Sequence, residues 1–266
     1  MPLLNFPPET ILLLVVALGV LILTLWYHAR IRAGWTPFRR PLPALDLLWA
    51  ALGRGAETGR AIHVSPGAGT IGNRATTAET VVGLLTVERV ASEAAFNGAH
   101  ILASSGDAVS HLALRGAIRQ SYQQAGQGQD YHPRNVQLLA HDDSMAYAAG
   151  VAAIYARQRL EASQLLGSFG QEFLLLGEEG AMRQVPQVTG STSSAALPVM
   201  FLSSRSVLIG EEVFAAEAYL ATIPAPQSRL LTQDFLRTLI ILLIIGGLLY
   251  SLLQPTLGLP PLPGLL

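Results

Sequence analysis

The chain has 266 residues, half of them hydrophobic, only 13% charged and none cysteine. A charged fraction well below the about 25% usual in soluble domains, with a positive mean hydropathy, points to membrane segments. A formal net charge of −1 leaves no electrostatic footprint for nucleic acid, and the absence of cysteine excludes disulfides, thiolate metal sites and cysteine nucleophiles.

Residues 1–10 carry one charged side chain, Glu9. Residues 11–27 carry none; at about 1.5 Å per residue they span roughly 25 Å, the short end of what a bilayer core demands. Trp26 and Tyr27 close the run, and Arg30, Arg32, Arg39 and Arg40 follow it. The aromatic pair suits an interface, and the basic cluster places the N-terminus outside and the following residues in the cytoplasm. Residues 28–58 read as a basic juxtamembrane linker in which 44–52 can form a short packing helix. A second uncharged run, 238–253, is preceded by Arg229 and Arg237 and followed by no charge at all. It therefore runs from inside to outside, with 226–237 as a linker and the proline-rich residues 254–266 as an extracytoplasmic tail. The expectation is a two-pass protein of the cell membrane with both termini outside.

Between the runs, residues 59–225 form the cytoplasmic domain. Short apolar strands at 61–65, 100–104, 136–140, 163–167 and 185–189 each lead into a helical pattern. The first helix places Val81, Leu84, Val87, Ala91 and Ala95 on one face, with Glu88 at its rim. Thr77, Glu79 and Thr80 offer capping chemistry at its start, Asp107 an N-cap for the second helix, and Asp142 or Asp143 one for the third. Alanines 148, 149, 152, 153 and 156 let the third helix approach a sheet closely. The fourth helix runs from about Gly170 to Gly180. Two more, near 194–202 and 210–221, close the domain, and Pro186 argues that the fifth strand lies at an edge. The alternation implies an α/β fold, a Rossmann-like, mostly parallel, doubly wound sheet of about five strands, flanked by one transmembrane helix on each side.

In such a sheet the turns after the strands converge on one edge, where helix N-termini offer free N–H groups. The ligand-binding candidates there are Ser65, Gly67, Gly69, Ser104, Gly106, Asp107, Gly167 and Ser168, suited to a nucleotide or another small anion. Residues 67–72 match G-x-G-x-x-G. Against a dinucleotide, the helix begins near Thr77 rather than inside the motif, and Ser104 and Ser105 stand where an acidic residue should meet the ribose. His63 reads as a core residue. Asp142 and Asp143 beside His141 are more simply caps than metal ligands. A Ser168, His141 and Asp107 triad lacks a nucleophile elbow. Neither a metal site nor a cofactor is assigned.

The run from His63 to Gly69, then Gly83-Leu84-Leu85, Ser105-Gly106-Asp107, Ala146 to Gly150, Gly167 to Gly170, Leu208 to Glu212 and Phe214-Ala215-Ala216, resembles an uncharacterised family of bacterial two-span membrane proteins carrying a domain of unknown function. The resemblance covers about residues 55–250; it implies a membrane-anchored α/β domain and no reaction. With no catalytic constellation evident, the leading expectation is a non-catalytic scaffold or assembly subunit. Its partners are the lipid bilayer and either further copies of itself or a membrane-protein complex. The alternatives are a sensor of a small anionic ligand at the sheet edge and a hydrolase or transferase using the same edge.

Overall fold

The computed structural model describes residues 7–37, 40–204, 206–220 and 223–257. Arg39, most of the N-terminal segment and the tail from 258 onward lie outside the described residues. The chain divides into two compact units, Met1–Phe38 with Ile223–Leu266, and Arg39–Thr222.

The first unit holds two long helices, α1 (Pro8–Arg32) and a final one, Pro224–Leu257. Both are long and apolar enough to cross a membrane, with mean hydropathies of 2.6 and 2.2 over the candidate spans. Their packed surfaces meet at a hydroxyl pair, Thr24 Oγ1 and Thr232 Oγ1, 3.0 Å apart. At the basic end of α1, the Arg30 guanidinium lies 4.9 Å from the Trp26 ring and 5.4 Å from the Trp35 ring, and Tyr27 stacks on Trp35. Residues 226–237, expected as a linker, are the first turns of the final helix, which also continues to Leu257.

The second unit begins with α2 (Pro43–Thr58), the packing helix expected at 44–52, and its Leu45, Leu48 and Leu52 are buried. There follow β1 (Ala61–Gly67), α3 (Thr77–Asn97), β2 (Ile101–Ser105), α4 (Ala108–Gln124), β3 (Val136–Leu138), α5 (Ser144–Arg157), β4 (Leu160–Ser168), α6 (Phe173–Met182), β5 (Gln187–Ser191), α7 (Leu197–Ser203), β6 (Ser206–Ile209) and α8 (Glu211–Leu220). The final helix of the first unit is α9. All paired strands are parallel, in the order β3-β2-β1-β4-β5-β6, so the α/β class and the Rossmann-like sheet stand. The switch point lies between β1 and β4.

Six strands form where about five were expected. The sixth, Ser-Val-Leu-Ile, is a four-residue run between two helices, and it pairs with β5 from Val188↔Ser206 to Ser191↔Ile209. β5 is therefore internal. Pro186 sits just before it, where a missing N–H costs nothing, and its carbonyl accepts from Ser163 N at 2.8 Å.

Two apolar clusters line the two sheet faces, because successive strand residues point to opposite sides. Leu166, Ile62 and Val64 join α2, α3, α4 and α8 in one cluster; Leu165 and Leu102 join α5, α6 and α7 in the other. The α3 face is rotated from its expected position. Val87, Ala91 and Ala95 are buried as the period predicts, whereas Val81 is exposed and Gly83, Thr86 and Val90 face the core. Gly83 is the reason: a Cβ there would overlap the Leu166 carbonyl oxygen and lie 2.9 Å from Pro66 Cα. The helix touches the sheet backbone at that point, which decides which face turns inward. Asp107 and Asp143 cap α4 and α5, each accepting a backbone N–H at 2.9 Å. Asp142 instead takes a left-handed φ of 58° in the turn before the cap.

Candidate functional site

The turns after β1, β2 and β4 meet at the C-terminal edge of the sheet. Gly106 N donates to the Gly67 carbonyl at 3.2 Å, and Gly67 pairs with Ser168 across β1 and β4. Gly67 and Gly167 have φ of 95° and 147°, and a Cβ on either would overlap the opposite backbone: Ser168 O for Gly67, Pro66 O for Gly167. Only glycine lets the two strand ends cross this closely. A Cβ on Gly69 would lie 2.6 Å from Ser168 Oγ and from Thr80 Oγ1; one on Gly106 would lie 2.8 Å from Ala68 Cα. These four glycines thus face the chain's own atoms. The crevice that carries a pyrophosphate in dinucleotide folds is, at these positions, packed by Ser168, Ala68 and Phe169.

The serines are engaged as well. Ser65 Oγ donates to the Ser104 carbonyl at 2.7 Å, accepts from Gly67 N at 3.1 Å and meets Tyr147 Oη at 2.5 Å. Its single proton is spent on the carbonyl, so the tyrosine must donate, and the serine oxygen is saturated. Ser104 Oγ lies 2.9 Å from His63 Nε2, and Ser163 Oγ 2.8 Å from His63 Nδ1. Tyr155 Oη donates to Ser163 Oγ at 2.6 Å, and Gln187 Nε2 donates to Tyr155 Oη at 3.4 Å and to Leu176 O at 3.1 Å. A continuous polar seam therefore runs through the second sheet face beneath the edge. Burial lowers the His63 pKa to about 3 and raises that of Tyr155 to about 12; Tyr147 is pushed up too, again chiefly by burial. His63 is neutral and sealed from solvent, as expected for a core residue. It orients hydroxyls and has no access to a substrate.

Glu79 is the residue that sequence reasoning placed among caps and the structure places in the site. It is 7% exposed, in the first turn of α3, and its Oε1 accepts from Thr192 N at 3.1 Å in the loop after β5. Burial raises its pKa, opposed by that bond and by one from the Ser168 hydroxyl. Thr77 does not cap the helix; its hydroxyl accepts from Gly72 N at 2.9 Å and donates to Asn73 O at 2.5 Å, holding the turn before it. Nothing in the sequence distinguishes a buried first-turn glutamate from an exposed one, since the loop that buries it lies more than a hundred residues away. Tyr147 and Tyr155 left a fainter signal, as polar-tipped aromatics on an alanine-rich helix bound for a sheet.

Asp107 is spent on capping: its Oδ2 accepts from Ser110 N at 2.9 Å and from Ser110 Oγ at 3.0 Å. His141 Nδ1 stands 3.9 Å from the other oxygen, on a side chain 56% exposed. Among the described residues no group of three or more His, Asp or Glu is placed to hold a metal ion. The edge, as built, combines a saturated Ser65 hydroxyl, a neutral histidine, a capping aspartate and a buried glutamate, an arrangement that braces turns.

A family model described as Domain of unknown function (DUF6754) matches residues 4–258. No curated protein and no solved structure matches the chain.

Proposed function

The chain belongs to this family of unknown function over nearly its whole length, and on that premise we propose that it is a membrane-anchored, non-catalytic scaffold whose α/β unit docks partner proteins. The observation that carries this reading is an exposed apolar face on α6 and α7. Leu174 and Met182 on α6 and Phe201 and Leu202 on α7 are all more than half exposed, Leu202 at 89%. The two helices touch, since a Cβ on Gly177 would lie 2.9 Å from Ser203 Cβ. Large apolar side chains left exposed on neighbouring helices are what an interaction site offers.

The anchoring is a two-pass arrangement in the plasma membrane of a bacterial cell, with both termini outside and the α/β unit in the cytoplasm. Two apolar helices, arginines on their central-domain sides and the Trp26, Tyr27, Trp35 and Arg30 cluster support it; the bacterial setting rests on the motif resemblance. The test is association of the full-length protein in mild detergent. Phe201→Glu with Leu202→Glu should strip the partners that co-purify with the wild type while leaving the melting temperature unchanged. A chain with Leu202→Cys, in this cysteine-free background, reports self-association by disulfide cross-linking. Unchanged co-purification together with no cross-link would sink the scaffold reading.

A further inference from the structure

We propose a second, independent site: an oxyanion-binding cleft for a phosphate group, formed by Arg115, Gly116 and Arg119 on α4 against the loop that follows that helix. The cleft has a volume of about 490 Å³, and none of the residues that line it is acidic.

Arg115 and Arg119 are one helical turn apart, so both guanidinium groups project over the same patch, with Gln123 one turn further on. Like charges at this spacing repel, and neither arginine has an ion-pair partner among the described residues. The cation of Arg115 also helps hold the neighbouring His111 below its ordinary pKa, behind burial as the larger cause. A helix face that repels itself is stabilised when an anion sits between the charges, and paired guanidinium forks match the oxygens of a phosphate.

Gly116 is the independent observation. It lies mid-helix, where glycine is among the poorest residues. A Cβ on Gly116 would meet nothing within 4 Å, as also at Gly53 in α2, and its backbone is an ordinary helical one. Neither packing nor conformation demands glycine there. The floor it leaves between the two arginines is what an approaching ligand would use.

The far wall is fixed in advance. Tyr131 packs its ring 6.3 Å from that of Tyr122, whose hydroxyl donates to Ala99 O at 3.3 Å, and Gln127 N donates to Tyr122 O at 2.9 Å. A cleft with ordered walls costs little to occupy. The phosphate could belong to a free metabolite or to a phospholipid headgroup; the recognition chemistry is the same.

The full-length protein in nonionic detergent would be melted with inorganic phosphate against chloride at equal ionic strength. Parallel melts would use dihexanoylphosphatidylglycerol against dihexanoylphosphatidylcholine. A midpoint raised by phosphate supports a free phosphate compound; one raised by the anionic lipid alone supports a headgroup. In either case Arg115→Gln and Arg119→Gln should each raise the half-saturating concentration about tenfold. Gly116→Leu should melt at or above the wild type without ligand yet lose the shift. If neither phosphate nor phosphatidylglycerol raises the midpoint above its control, or if Gly116→Leu responds undiminished, the proposal is overturned. Scaffold variants at Phe201 and Leu202 should respond to the anion normally, so the two readings fail separately.

Discussion

His63 shows what one buried residue does to the whole molecule's pH response. Its folded pKa, about 3, lies below the ordinary value of 6.5, so the unfolded chain takes up a proton that the folded chain refuses. Stability is therefore lost as pH falls through the unfolded value. Between pH 7 and pH 5 the loss from this group is about 2 kcal/mol, at about 1.4 kcal/mol per unit. Glu79 works the other way: its pKa is raised, so the folded state holds its proton more readily and the group favours the fold as pH falls. Denaturant unfolding of the full chain at the two pH values should show a net loss on acidification, and His63→Gln should flatten it while lowering stability at pH 7. A wild type equally stable at both values would mean that His63 is solvated. The sequence made His63 legible as a core residue, from its place inside an apolar strand. That it bridges Ser104 and Ser163 was not legible, because those partners come from two other strands.

At the scale of elements, α3 tests how backbone contact competes with helix propensity. Gly83→Ala gains about 1 kcal/mol of intrinsic propensity. It also forces a methyl group into the Leu166 carbonyl and Pro66, neighbours that are backbone or ring and cannot swing away. Overpacking of this kind costs about 1–3 kcal/mol. The variant should therefore be less stable than the wild type by roughly 1 kcal/mol, measured by the denaturation midpoint. A more stable variant would mean that α3 can lift off the sheet freely. The same contact explains why the hydrophobic period located the helix but misplaced its buried face: with glycine at the closest approach, the inward direction carries no apolar side chain to read. β6 was missed for a related reason. Its four residues are too few for a period to register, and only the exposed ladder of β5 makes them a strand.

For the whole molecule, the decisive expectation is topological. Single cysteines placed at Gln127, half-buried, and at Gln184, exposed, on the α/β unit should resist a membrane-impermeant maleimide in intact cells and react after permeabilisation. The native chain has no cysteine to interfere. A cysteine at Pro7, before α1, should react in intact cells. Labelling of Gln127→Cys from outside would reverse the orientation and with it the cytoplasmic placement of the scaffold face.

By itself the sequence determined the two apolar helices, the alternation of strands and helices between them, the cap at Asp107 and a further cap at Asp142 or Asp143, because each depends on residues within a few positions of one another. It also brought Ser65, Gly67, Ser104, Gly106, Gly167 and Ser168 to one sheet edge, since parallel strands carry their following turns to the same end. Only the tertiary structure decided what those residues do there. Glycines that leave space in a sequence are filled in the fold by Ser168, Ala68 and Phe169 from other segments. Gly116, unremarkable in the sequence, has open surroundings beside Arg115 and Arg119 in the α4 cleft. Whether a small residue makes room for the chain or for something else depends on what lies opposite, and that is a property of long-range packing.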